Sequence, residues 1–95
     1  AAREAEIIML RAGEVANETA RAVAAAVRDI RTRPLAKPPG VAEAVEWANA
    51  ATLLEKGGSP WPEAFRRAIG VLVKDEEDLV LLAPEFDGIV AAAMS

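Results

Sequence analysis

The sequence predicts an all-α fold, a single small bundle of about four to six helices. Tyrosine is absent and aromatic residues make up only 4% of the chain, whereas β-sheets are usually built from aromatic and β-branched residues. Hydrophobic residues account for 53% of the 95 residues, which is enough for one compact core. They recur at intervals of three and four residues, which is the spacing of one helix face.

The first two helices are predicted in the first third of the chain. A short helix over residues 3–11 should end before Gly13, a weak helix former. The second should run from Asn17, an expected N-cap, to Arg33, where Pro34 stops it. Its buried stripe is expected to consist of Ala20, Val23, Val27 and Ile30. The positive charges in its last turns, which suit the helix dipole, are Arg28, Arg31 and Arg33.

A stiff connector over residues 35–40 is predicted to separate the second helix from the third. Its two consecutive prolines fix φ, and the residue before each proline is disfavoured in the α region. The third helix should therefore begin just after Gly40 and continue to Lys56. Gly57 and Gly58 supply its stop signal.

A fourth helix is predicted after a second proline-rich loop, with Pro62 in its first turn. Its expected buried stripe is Phe65, Ala68, Ile69 and Leu72. The apolar run 71–73, followed by charged residues, is also compatible with a strand and turn. We favour the helix because the stripe extends over two helical turns.

The tail from Glu76 to Ala93 is expected to form one or two further short helices. Pro84 should break it after Ala83, and Gly88 should break it again.

Composition excludes several classes of function. The chain has neither cysteine nor histidine, which removes thiol nucleophiles, the usual zinc ligands and the commonest proton carrier, and so disfavours a small enzyme. A net charge of −4 disfavours a nucleic-acid partner. No apolar run approaches the roughly 18–20 residues that cross a bilayer, so we expect no membrane span and a cytoplasmic location.

Two acidic groups invite a metal or acid–base interpretation, and both are better explained as solvated. Glu43 and Glu46 lie three residues apart on one predicted helix face, with no histidine or aspartate near them in sequence. The run 75–78 fits no calcium loop, and acidic residues at a helix start are favoured by the dipole alone. We therefore predict no metal site.

Three stretches of the sequence match one family pattern in order. The longest is residues 37–48, Lys-Pro-Pro-Gly-Val-Ala-Glu-Ala-Val-Glu-Trp-Ala. Shorter matches are residues 3–8, Arg-Glu-Ala-Glu-Ile-Ile, and residues 68–78, Ala-Ile-Gly-Val-Leu-Val-Lys-Asp-Glu-Glu-Asp. The chain resembles the C-terminal helical lid of the MoxR family of AAA+ ATPases.

The resemblance implies that residues 1–95 are one lid domain from a longer protein, an expectation that fits the helical opening without an initiator methionine. In such a protein an upstream core carries the P-loop and binds ATP and magnesium. No P-loop pattern occurs in this sequence, so the chain alone should neither catalyse a reaction nor hold a cofactor. The implied partners are that core, neighbouring subunits of a ring, and a von Willebrand factor A domain protein. The implied activity is chaperone-like remodelling of a client.

The resemblance also selects the connector as the nucleotide-proximal element, formed by Lys37, Pro38, Pro39 and Gly40. Lids of this kind often carry a sensor-2 arginine aimed at the γ-phosphate, but no arginine occurs between Pro34 and Phe65. Either Lys37 substitutes for it, or nucleotide is sensed without a lid cation. Free N–H groups at a helix start would also favour phosphate. The alternative is that the prolines only set the angle between two helices.

Two tryptophans are candidates for an inter-domain or partner contact. Trp47, on the third predicted helix, is more readily explained as core. Trp61, between two prolines, would pack against the following helix or contact a partner. A different class of function stays open for the whole chain, an independent helical adaptor module that binds a partner helix or peptide.

Overall fold

The computed structural model describes residues 2–94, apart from the side chains at positions 2, 61 and 70. Within that range the chain forms seven helical segments and no strand. They are α1 (Ala2–Arg11), α2 (Asn17–Ile30), α3 (Val41–Lys56), α4 (Trp61–Arg67), α5 (Ile69–Leu72), α6 (Glu76–Leu82) and α7 (Phe86–Met94). Only Ala68 separates α4 from α5, so the two form one interrupted helix. The predicted all-α bundle is confirmed, and the strand alternative is not realised in the described residues.

Helix α2 contacts three other helices, α1, α3 and α7. The predicted stripe is confirmed, since its four residues are completely buried: Ala20, Val23, Val27 and Ile30. Alanines on neighbouring positions of α2, among them Ala24 and Ala26, are buried as well. Small side chains on a helix let its neighbours approach closely, so α2 packs against three partners.

An aromatic cluster joins α3, α4 and α7. The ring of Trp47 stacks on Phe65 with centroids 4.4 Å apart, and Phe86 lies 6.0 Å away in a tilted arrangement. The indole N–H of Trp47 donates a hydrogen bond of 3.0 Å to the carbonyl oxygen of Phe65. Stacking and polar satisfaction are therefore combined at one fully buried side chain.

The C-terminal end of α3 is a Schellman motif, as the two glycines predicted. The Ser59 N–H bonds the Leu54 carbonyl at 3.1 Å, and the Gly58 N–H bonds the Glu55 carbonyl at 3.0 Å. Gly58 has φ of +104°, a conformation that side-chain-bearing residues rarely adopt. The chain can thus reverse immediately after Lys56.

The predicted N-cap of α2 is wrong by one residue, and its predicted C-terminal end is wrong by three. Asn17 is the first helical residue, and the cap position belongs to Ala16, which has no side-chain acceptor. At the other end α2 stops at Ile30, because the chain tightens into i→i+3 turns. There Thr32 N–H bonds the Asp29 carbonyl and Arg33 N–H bonds the Ile30 carbonyl. The clash with Pro34 disfavours regular helix just before it.

The tail is broken once, at Ala83–Pro84 as predicted, and Gly88 lies inside α7. A glycine within a helix costs roughly 1 kcal/mol relative to alanine. That loss is offset by packing, because Phe86, Ile89 and Val90 of α7 are all buried. Tertiary contact thus overrides the local preference that predicted a second break.

We expect Trp47→Ala to lower the free energy of unfolding by about 3–5 kcal/mol, the typical loss for a buried large aromatic side chain. Leu53→Ala on the same helix is the matched control. Leu53 is 70% exposed, so its truncation should change the free energy by less than about 0.5 kcal/mol. Urea unfolding followed by far-ultraviolet circular dichroism measures both, and equal losses would contradict the central place given to Trp47.

Candidate functional site

The connector between α2 and α3 is the candidate site, and its four predicted residues differ in exposure. Lys37 and Pro38 are exposed, Gly40 is half-buried and Pro39 is buried. The connector therefore presents one face to solvent and rests on the bundle with the other.

Asp78, in the first turn of α6, holds the beginning of the connector. Its two carboxylate oxygens accept hydrogen bonds of 2.9 Å each, Oδ1 from the Ala36 N–H and Oδ2 from the Lys37 N–H. Asp78 is only 3% exposed, so these charge-assisted bonds lie where water competes little. The prediction that the acidic run 75–78 is solvated is therefore wrong at Asp78. Glu76 and Glu77 are exposed as expected, whereas Asp78 is buried and bonded.

Arg31, just after α2, holds the middle of the connector. Its Nε donates to the Pro39 carbonyl oxygen at 2.8 Å. Its Nη1 and Nη2 each donate at 2.7 Å to the carboxylate of Glu4 in α1, a bidentate geometry that lysine could not reproduce. The start of α1, the end of α2 and Pro39 are therefore joined through one guanidinium.

Glu43, in the first turn of α3, holds the end of the connector. Its Oε1 accepts the Gly40 N–H at 2.8 Å. Hydrogen bonds from the backbone of Gly40 and of Glu43 itself lower the pKa of this carboxyl, and Lys74 adds a smaller effect in the same direction. The sequence predicted free N–H groups at the start of α3, and at Gly40 that prediction is wrong. A phosphate bound there would have to displace the Glu43 carboxylate.

Every backbone donor over residues 36–40 is consequently bonded to a carboxylate. Ala36 and Lys37 use Asp78, Gly40 uses Glu43, and the two prolines have no N–H to offer. Binding chemistry at the exposed face therefore falls to side chains. The Lys37 ammonium has no hydrogen bond or ion pair within the described part of the chain, so it is available to an anion.

The three stretches that carry the family resemblance meet at this connector. Glu4 belongs to the first, Pro39 to the second and Asp78 to the third, and they are up to 74 positions apart in sequence, from residue 4 to residue 78. Direct hydrogen bonds to the connector come from Asp78, and Glu4 acts through Arg31. The arrangement holds the backbone at Lys37, the residue that supplies the connector's positive charge.

Neither tryptophan provides a verified contact surface. Trp47 is fully buried beneath Phe65 and Phe86, so the partner contact considered for it is corrected to a core role. The side chain of Trp61 lies outside the described residues, and its contact stays a prediction. Leu10, Leu53 and Val80 are instead the most exposed large apolar side chains in the described range.

The other acidic side chains in the described part of the chain form no cluster of the kind that ligates a metal ion. No group of three or more aspartate or glutamate side chains is arranged there as a ligand set. Glu46 is exposed, and its nearest cation, Lys74, lies 3.9 Å from it. Asp75 caps α6 by accepting hydrogen bonds from the N–H groups of Glu77 and Asp78.

None of the helices described is both long enough and apolar enough to span a bilayer.

The sequence alone did not identify Glu4, Arg31 or Asp78 as the residues that hold the connector. Arg31 was explained by the helix dipole, a local effect that conceals its long-range partners. One signal for Asp78 was present: it precedes Leu82 by four residues, and Leu82 is an apolar residue that turns out to be fully buried. A carboxylate on the inward face of a helix has to find donors.

Comparison with protein-family models, with curated proteins and with solved structures finds no match to this chain. The lid interpretation therefore rests on the residues quoted above and on their arrangement.

We expect the stabilisation from Glu43 to depend on pH in a defined direction. Because folding lowers the pKa of this carboxyl, its contribution is full above the ordinary value of 4.5 and is lost as the pH falls below it. The difference in free energy of unfolding between the wild type and Glu43→Gln should therefore be present at neutral pH and shrink in acid.

The matched control is Glu55→Gln, which changes an exposed residue near the other end of α3 whose carboxylate has no hydrogen bond or ion pair among the described residues. Urea unfolding of all three proteins across the acid range makes the comparison. A Glu43→Gln difference that is constant with pH, or matched by Glu55→Gln, would contradict the assigned role.

Proposed function

We propose that this chain is the helical lid of a MoxR-like AAA+ ATPase. In the intact protein it would couple the nucleotide state of a separate core domain to ring assembly and to chaperone-like remodelling of a client in the cytoplasm. The observation that carries the proposal is the convergence of the three resembling stretches on one rigid connector with an unpaired lysine. The three stretches lie far apart in sequence, and their residues Glu4, Pro39 and Asp78 all lie at or beside this one loop.

The position of α1 supports the same function. Glu4 in the first turns of α1 is linked through Arg31 to Pro39, so the start of α1 and the connector lie at the same end of the bundle. A core domain joined ahead of α1 would therefore adjoin the connector. This is where a lid has to meet nucleotide.

The chain's own contribution to a nucleotide would be limited to one cation. The Lys37 side chain is exposed, and its ammonium has no partner in the described residues, which fits a role as a substitute for the sensor-2 arginine. The start of α3 fits less well, because the Glu43 carboxylate already uses the Gly40 N–H. ATP and magnesium would be bound by the core, with Lys37 approaching a phosphate from the lid.

Neighbouring subunits of a ring and a von Willebrand factor A domain protein are the partners that this function implies. The exposed charges supply no reason to add nucleic acid, since the chain carries a net charge of −4.

An independent helical interaction module is a second candidate, favoured by the outer face of α6. Glu76, Glu77, Leu79 and Val80 line a shallow apolar groove there, and Val80 is 75% exposed. An apolar groove with acidic side chains could receive a partner helix that carries basic residues. Nucleotide dependence separates the two candidates, because an adaptor needs none.

We expect the isolated chain to show no measurable ATP binding by calorimetry, because a single exposed lysine does not form a phosphate site. Joined to its core, it should bind ATP, and Lys37→Ala should weaken that binding by about tenfold, the usual value of a charge-assisted hydrogen bond.

Lys56→Ala is the control, since Lys56 is an exposed lysine at the opposite end of α3. Tight ATP binding by the isolated chain would contradict the lid function, and so would a native start codon immediately before Ala1. A P-loop and a Walker B segment in the upstream reading frame would support it.

A further inference from the structure

We propose that Asp78 is a positioning residue for nucleotide sensing, which fixes the backbone of Lys37 and so makes the direction of its ammonium depend on the position of α6. The inference rests on the proposed lid function and assigns the regulation of its nucleotide-facing lysine.

Asp78 contacts the connector directly, through two hydrogen bonds. One carboxylate bonds the N–H groups of two consecutive residues, Ala36 and Lys37, at 2.9 Å each. Two bonds to adjacent peptide groups restrain both the position and the rotation of that stretch of backbone. Asp78 is only 3% exposed and its carboxylate has no ion-pair partner in the described residues, so these N–H groups are what stabilise its charge.

Lys37 has little remaining backbone freedom. Its N–H is held by Asp78, and Pro38 after it disfavours the α region. Two residues further along the connector, the Pro39 carbonyl oxygen accepts a hydrogen bond from Arg31. The location of the ammonium is therefore set by where this backbone is placed and by the side-chain rotamer.

Helix α6 is anchored so that a displacement would reach Lys37. On its inward face Asp78 bonds the connector and Leu82 is completely buried in the core. On its outward face Glu76, Glu77 and Val80 are exposed. A contact on the outer face of α6, for instance from another domain, would be transmitted through Asp78 to the connector.

Asp78 differs in this respect from Asp75, the neighbouring aspartate on the same helix. Asp75 caps α6 itself by accepting from Glu77 and Asp78. The Asp78 carboxylate does not cap its own helix. Its two hydrogen bonds reach residues 41 and 42 positions away in sequence. The two residues therefore form a matched pair for experiment, with the same chemistry and different partners.

The first measurement is amide hydrogen exchange on the folded chain. In Asp78→Asn, where one of the two acceptor oxygens becomes an NH₂ donor, the amides of Ala36 and Lys37 should exchange at least about fivefold faster. Asp75→Asn should leave those two amides unchanged, since asparagine is also a good N-cap. Unaltered exchange in Asp78→Asn would overturn the inference. If that variant does not fold, Asp78→Ser serves in its place, because the hydroxyl can bond only one of the two amides well.

The second measurement is ATP affinity in the longer chain that includes the core, using Lys37→Ala, Asp78→Asn and the double variant. A positioning role predicts that Asp78→Asn weakens ATP binding severalfold while Lys37 is present, and adds little in the Lys37→Ala background. Additive losses would assign Asp78 a general structural role and overturn the inference. If Lys37→Ala weakens binding and Asp78→Asn does not, this inference fails and the lid function stands. If Lys37→Ala has no effect, this inference fails, and the lid function is decided separately by whether the isolated chain binds ATP.

Discussion

The connector between α2 and α3 depends on one constraint: a segment with two adjacent prolines cannot satisfy its own backbone. It can form neither helix nor sheet, and its remaining N–H groups need acceptors from elsewhere. Asp78 and Glu43 supply those acceptors, and Arg31, paired with Glu4, supplies a donor to the Pro39 carbonyl. Carboxylates from α3 and α6 and a guanidinium held by α1 thus meet at one short loop. The connector is ordered because four parts of the chain place charges around it.

The aromatic cluster gives that arrangement a firm base. Glu43 and Trp47 lie one turn apart on α3, so the helix that ends the connector is also the helix whose indole is stacked on Phe65 and bonded to its carbonyl. On the other side, α2 enters the connector from a stripe that is completely buried. Charge organisation at the connector and apolar packing in the core therefore use the same two helices. A rigid connector between two well-packed helices is what a lid requires if a movement at one end is to reach the other.

The sequence predicted the all-α fold, the buried stripe of α2, both ends of α3 and the break at Pro84, because each follows from local rules or helical periodicity. It failed at the N-cap of α2 and at Gly88, where packing of Phe86, Ile89 and Val90 outweighs glycine's low propensity. The connector was predicted as the segment between α2 and α3, but the residues that hold it were not predicted. Arg31 and Glu4 are 27 positions apart, and Asp78 lies 41 positions from Lys37. Pairings at such distances follow from how the helices pack, which local pattern does not encode.

The central claim is that the ordered connector turns Lys37 toward a nucleotide phosphate. It is tested most directly by a structure of the longer chain, core and lid together, with a non-hydrolysable ATP analogue. The account predicts the Lys37 ammonium within hydrogen-bonding distance of a phosphate oxygen, with the bonds from Asp78 to the connector intact. A connector that faces away from the nucleotide, or a Lys37 side chain left in solvent while the analogue is bound, would contradict it.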